Sequence, residues 1–117
     1  MELYKLNGKV YPCSTTVTMD YIGGKWKTVI LWYLAISPLR YSELRKKLMM
    51  VTERTLSLQL KQLAEDGLVK RKVYTTKAPM KVEYSLTEFG ESLVPILKVL
   101  SKWGEKVIEE KGEVINS

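Results

Sequence analysis

The segment PLRYSELRKKLMMVTERTLSLQLKQLAEDGLVKRKVYTTKAPMKV, residues 38–82, decides how this chain is read. From about Tyr41 to Leu48 the leucines Leu44 and Leu48 stand four apart, with Arg45, Lys46 and Lys47 turned outward. That spacing predicts a short helix. Thr52 is a natural N-cap for a longer helix ending near Asp66, and Gly67 follows as the residue that tolerates a left-handed stop. Leu68–Tyr74 and Val82–Leu86 then alternate in strand fashion around a polar loop, Thr75–Lys81, that contains Pro79. Two helices joined by a tight connector and followed by a β-hairpin predict a winged helix-turn-helix.

The charge of the segment points the same way. It carries eleven Lys and Arg against four Asp and Glu, a net +7, while the rest of the chain carries −1 of the overall +6. A positive field gathered on one unit suits a polyanion, because each phosphate neutralised releases condensed counterions. A solvated basic face without a partner is the plainer alternative. On the longer helix, 100° per residue puts Leu56, Leu60 and Leu63 on the core side. The opposite face carries Arg54, Leu58, Lys61 and Glu65. Thr52, Arg54, Thr55 and Ser57 on its N-terminal half supply donors and acceptors suited to a major groove, and Leu58 suits thymine methyls or a protein contact. Arg40, ahead of the first helix of the pair, and Arg71, Lys72, Lys77 and Lys81 of the hairpin are candidate phosphate or minor-groove contacts.

Outward from this segment, residues 1–12 read as a short arm with turn residues Asn7-Gly8 and Pro12. A helix is expected over about Ser14–Ile22, with Ser14, Thr15 or Thr16 as N-cap and Gly23-Gly24 as its stop. A second runs over about Lys25–Ile36, where Trp26, Val29, Ile30, Tyr33 and Leu34 form one apolar face. Thr87 caps a long helix over about Glu88–Glu110, with Pro95 inside it predicting a kink. The last residues, 111–117, are expected to fray. The division is therefore an arm (1–12), a DNA-binding core (13–86) and a dimerisation helix (87–111) within one domain (1–117). The fold class is α+β, mainly α, with a two- or three-stranded wing.

Composition excludes several classes. At 117 residues the chain is one modest domain. It has no histidine, the commonest general base and metal ligand, so neither catalysis nor a metal or other cofactor is expected. A single cysteine, Cys13, excludes an intramolecular disulfide framework. No apolar run approaches a membrane span, and Met1–Val10 lacks the core of a signal peptide, so the expected location is the cytoplasm.

The chain resembles the HxlR-type transcriptional regulators, relatives of the MarR group. The resemblance is carried by Cys13, then Ile22-Gly23-Gly24-Lys25-Trp26, Arg40-Tyr41-Ser42-Glu43-Leu44-Arg45, Leu60-Lys61-Gln62-Leu63-Ala64-Glu65-Asp66-Gly67-Leu68-Val69, Val82-Glu83-Tyr84-Ser85-Leu86-Thr87 and Trp103-Gly104. It spans about Cys13–Gly104. The resemblance implies a dimeric winged helix-turn-helix protein that binds DNA to repress or activate nearby genes. It also implies Cys13 as a candidate sensor of electrophiles, quinones or oxidants. Two positions depart from the family pattern: Ser14 replaces the proline usual after the cysteine, and Met49-Met50 replaces Pro-Gly in the connector. A left-handed Met50 would cost about 1–2 kcal/mol, so a differently shaped turn is expected there.

Independently of the family, the apolar stripe of the C-terminal helix is too wide for so small a domain to cover. Tyr21, Leu97, Leu100, Trp103 and Val107 are the candidate contacts with a second copy, against the alternative that the helix folds back on its own core. Cys13 stands just ahead of a helix N-terminus, where the positive end of the dipole favours a thiolate; a small buried packing residue is the competing reading. The function expected is a homodimeric, sequence-specific DNA-binding transcriptional regulator acting on double-stranded DNA at an inverted repeat, with Cys13 as candidate thiol sensor. Two rivals stay open. One is a winged-helix protein–protein interaction module, favoured by Leu58, Met49 and Met50. The other is a MarR-like regulator responding to a small-molecule inducer in a pocket lined by Trp26, Trp32 and Tyr33.

Overall fold

Leu31, Leu44, Leu56 and Leu63 have no exposed surface, and the elements that carry them define the architecture. The computed structural model describes residues 2–75, 77, 78 and 81–115. In chain order the elements are β1 (Tyr4–Leu6), β2 (Lys9–Tyr11), α1 (Ser14–Ile22), α2 (Lys27–Ile36), β3 (Leu39–Arg40), α3 (Tyr41–Lys47), α4 (Glu53–Glu65), β4 (Val69–Thr75), β5 (Lys81–Leu86), α5 (Glu88–Glu91) and α6 (Val94–Lys111). Helices α2, α3 and α4 pack their leucines together with Ile30, Leu34, Leu68 and Leu86 into one core. The strands β3, β5 and β4 lie side by side in that order, all antiparallel, and close it. This is the winged helix-turn-helix arrangement, with a three-stranded wing.

Local chemistry sets the boundaries. The Thr52 hydroxyl accepts from the Thr55 N–H at 3.1 Å and so caps α4, while Gly67 turns with φ +77° to stop it. The α3–α4 connector forms without a left-handed residue at Met49 or Met50. It closes instead by a Val51 N–H to Leu48 carbonyl bond of 3.1 Å. Arg45 belongs to this turn and not to the outward face: it donates to the Val51 carbonyl and lies 3.8 Å from Glu53. In β5 the expected alternation holds, with Val82, Tyr84 and Leu86 buried. In β4 only Val69 is buried, and Lys70 to Tyr74 are exposed on both faces because the wing projects beyond the core.

One expectation is sharpened and two are corrected. The arm is a hairpin: β1 and β2 pair antiparallel, joined at Asn7 (φ 49°) and Gly8 (φ 79°). It is held down by Tyr11, whose hydroxyl donates to Asp20 at 2.5 Å, and by Lys9, 3.7 Å from the same carboxylate. That short bond keeps the Asp20 carboxyl below its ordinary range and pushes Tyr11 up to about 12. The single long C-terminal helix is two, α5 and α6, because proline lacks an N–H and its ring clashes with the carbonyl four residues back. Pro95 therefore sits in the first turn of α6, where no N–H is required. Cys13, and not Ser14, Thr15 or Thr16, occupies the N-cap position of α1. Thr76, Pro79 and Met80 of the expected wing loop, Met1 of the arm and residues 116 and 117 of the expected frayed end lie outside the described residues.

Candidate nucleic-acid interface

The wing, the start of α3 and the outer face of α4 meet around one hollow. It has a volume of about 470 Å³ and is lined by Arg40, Tyr41, Ser42, Ser57, Arg71 and Lys81, with Val82 and Tyr84 at its floor. Three cations converge there and no acidic side chain lines it. The topology accounts for the convergence: β3 pairs with β5, placing Arg40 beside the wing, and β4 pairs on the other side of β5, setting Arg71 across from Tyr84. Ser57 comes from α4 and is tied in place by the Tyr41 hydroxyl at 3.2 Å. Tyr41 and Ser42 are site residues that sequence reasoning missed. Their place beside the cap of α3, where Glu43 accepts from the Arg40 N–H at 2.9 Å, was the available signal.

Other candidates lie outside the hollow. Arg54, Leu58 and Lys61 are exposed along α4, Leu58 at 49%, with Leu56 and Leu60 buried beneath. Thr55 is half-buried, and the Thr52 hydroxyl that accepts from its N–H is engaged as the helix cap. Lys72 is exposed, but strand alternation turns it to the wing face opposite Arg71, where its ammonium lies 4.7 Å from the Tyr74 ring centroid. Lys77 is exposed near the wing tip, its backbone N–H donating to Thr75. Among the described residues no cluster of His, Cys, Asp and Glu could hold a metal ion, and no helix is long and apolar enough to cross a membrane.

Away from this face, Leu100, Trp103 and Ile108 on α6 are exposed, Trp103 at 71%. Val107 and Tyr21 are half-buried, Tyr21 resting edge-on against Phe89. Leu97 departs from the expectation of a contact with a second copy, because it is buried in the chain's own core. A second hollow, about 520 Å³, lies between α2 and α6 and includes Thr28, Trp32, Tyr33, Leu100 and Ser101. Trp26, expected in such a pocket, packs instead on the core.

Cys13 is exposed. In the first turn of α1 the Thr16 N–H and hydroxyl donate to the Cys13 carbonyl, at 3.2 and 2.6 Å, and the hydroxyl oxygen lies 4.0 Å from the sulfur; these Thr16 groups lower the thiol below its ordinary value. Thr16→Val removes the hydroxyl and keeps the N–H. The pH midpoint for alkylation of Cys13 by iodoacetamide should therefore rise in the variant and yet stay below that of a free thiol. A midpoint that does not move would assign the effect to the backbone alone.

The profile of HxlR-like helix-turn-helix proteins matches residues 21–112. The HTH-type transcriptional regulator BH0655 of Halalkalibacterium halodurans is 47% identical over 110 residues, covering 91% of this chain and 96% of that protein. Two solved structures of the redox regulator HypR are similar. The reduced form is 43% identical with a TM-score of 0.76, covering 81% of this chain and 93% of that one. The oxidised form is 45% identical with a TM-score of 0.74, covering 80% and 96%.

Proposed function

The chain belongs to the HxlR-like helix-turn-helix family, a DNA-binding transcriptional regulator by that membership, and we propose that it works as a homodimer on an inverted-repeat operator with Cys13 as its oxidant sensor. The observation that carries the DNA reading is the hollow where Arg40, Arg71 and Lys81 converge beside Ser57 of α4. With α4 in the major groove, these cations would meet the flanking phosphates, and Arg54, Ser57, Leu58 and Lys61 would face the bases. Thr52 and Thr55 frame the helix start, and Lys72 and Lys77 extend the positive field along the wing. The protein acts without enzymatic activity or cofactor, in the cytoplasm. A mobility-shift titration tests the reading: its own promoter should bind well ahead of random DNA at moderate salt, and equal binding to both would overturn it.

The exposed apolar residues of α6 support pairing with a second copy. A two-fold axis there would hold the recognition helices about 34 Å apart, one turn of DNA. Trp103→Glu should convert the dimer to a monomer in analytical ultracentrifugation. It should also weaken operator binding by about 10²-fold or more, since two linked half-site contacts become independent. A variant that stays dimeric would refute the assignment of α6.

Cys13 supports thiol sensing through its exposure, its lowered pKa and the likeness to HypR. The chain has no second cysteine, so oxidation would yield a sulfenic acid, a mixed disulfide with a small thiol, or a disulfide to a second copy. The hollow between α2 and α6 favours a second reading, an apolar inducer held beside Trp32 and Tyr33. Thermal shift of the Cys13→Ser variant against apolar ligands separates the two, because only the second reading survives that substitution.

A further inference from the structure

Tyr41 reaches from the start of α3 to the start of the recognition helix. Its ring is half-buried against the core, and its hydroxyl meets two oxygens of α4: the Glu53 carbonyl at 3.4 Å and the Ser57 Oγ at 3.2 Å. A carbonyl oxygen can only accept, and a phenol has a single proton to give. Both contacts are hydrogen bonds in only one arrangement, with Tyr41 donating to Glu53 and accepting from Ser57. The surroundings favour the same orientation. Arg40, Arg71 and Lys81 line the hollow beside Ser57 and no acidic side chain joins them, so the hydroxyl proton turns away from their positive charge. The Glu53 carbonyl also lies one turn before Ser57 on the same helix, the position to which helical serines bond back, so an inward proton has a second acceptor. Ser57 is exposed, and what it shows outward is then lone pairs alone.

A serine on a recognition helix ordinarily carries little sequence information, because a free hydroxyl donates to guanine or thymine as readily as it accepts from adenine or cytosine. Here the hydroxyl is not free. We propose that Tyr41 is a positioning residue for sequence readout: by holding the Ser57 proton it makes Ser57 an acceptor only. Ser57 then selects a base with an amino group in the major groove, adenine N6 or cytosine N4, at one position of each half-site. Guanine O6 or thymine O4 there would set two acceptors against each other and leave both unpaired. The proposal rests on the placement of α4 in the major groove. It goes beyond that placement by giving one contact a polarity and giving Tyr41 control of it.

Selection from a randomised duplex pool with the full-length wild type, Tyr41→Phe and Ser57→Ala tests this. The wild type should enrich adenine or cytosine about tenfold over guanine or thymine at one position per half-site. Tyr41→Phe keeps the ring on the core and releases the Ser57 proton, so all four bases should become nearly equal there while the rest of the motif stands. Ser57→Ala should level the same position and no other. In a site carrying adenine at that position, its replacement by purine deoxyriboside, which lacks the amino group, should weaken wild-type binding about tenfold. The same replacement should leave Ser57→Ala binding unchanged. A Tyr41→Phe variant that loses affinity for every sequence alike overturns the proposal. So does guanine or thymine preferred at the position that Ser57→Ala levels, or a motif that survives both substitutions. A wild type that enriches no motif overturns the placement of α4 itself, and this reading falls with it. Should Tyr41→Phe fail to fold, the wild type and Ser57→Ala decide the polarity, because Ser57 is exposed and its truncation opens no core.

Discussion

Gly90→Ala should remove at least about 3 kcal/mol of stability, lowering Tm by roughly 10 °C or more in a circular-dichroism melt. Gly90 is buried in α5, and a Cβ there would stand 2.0 Å from the carbonyl oxygen of Leu68 and 3.0 Å from its carbonyl carbon. The obstacle is backbone, which cannot rotate aside as a side chain would. Leu68 is itself fixed, fully buried and accepting from the Thr87 N–H at 3.1 Å. To admit the methyl group, α5 must lift from the start of the wing and break that bond. The loss would be a large share of the ~5–15 kcal/mol that holds a domain of this kind. A melt within about 2 °C of the wild type would show that α5 is not pressed against Leu68 in solution.

The second large effect falls on DNA binding and leaves the fold untouched. Arg71 and Lys81 are exposed and reach the same hollow from paired strands, so Arg71→Ala with Lys81→Ala removes two candidate phosphate contacts without opening the core. Charge-assisted hydrogen bonds contribute about 1.5–3 kcal/mol each, so affinity for each half-site should fall at least about 100-fold. The slope of log K against log salt should flatten by about 3.6, or ~0.9 for each of the four phosphates that the two subunits give up. Lys72→Ala, on the opposite wing face, should produce a smaller change. Fluorescence anisotropy across a salt series measures both quantities. A double variant with the wild-type slope would remove the hollow from the interface.

Much of this architecture was legible because its signals are local. Thr52 caps and Gly67 stops α4 through contacts within a few residues, and the spacing of Leu56, Leu60 and Leu63 states which face is covered. The sequence could not show what depends on distant partners. β3 is two residues long and exists only because β5 passes beside it. The strands of the arm are three residues each, too short to display alternation, although Asn7-Gly8 marked their turn. Along α6 the apolar stripe is continuous, and periodicity alone cannot separate Leu97, which faces the chain's own core, from Trp103, which does not. Charge counting placed Arg45 with the outward cations, yet the carbonyl of Val51 captures it. The candidate site was read from its cations, whereas Tyr41 and Ser42 enter it only through the fold.

Thr87 joins two parts of the molecule. Its hydroxyl donates to the Gly67 carbonyl at 2.5 Å and accepts from the Gly90 N–H at 2.9 Å, while its own N–H holds Leu68. The exit of α4 and the entry of α5 are thereby riveted at a single residue. Ser92 and Leu93, between α5 and α6, keep helical angles and donate back to Glu88, Phe89 and Gly90, so the joint between the two helices is itself bonded. A pull on α6 would then be felt through Thr87 at the trailing end of α4.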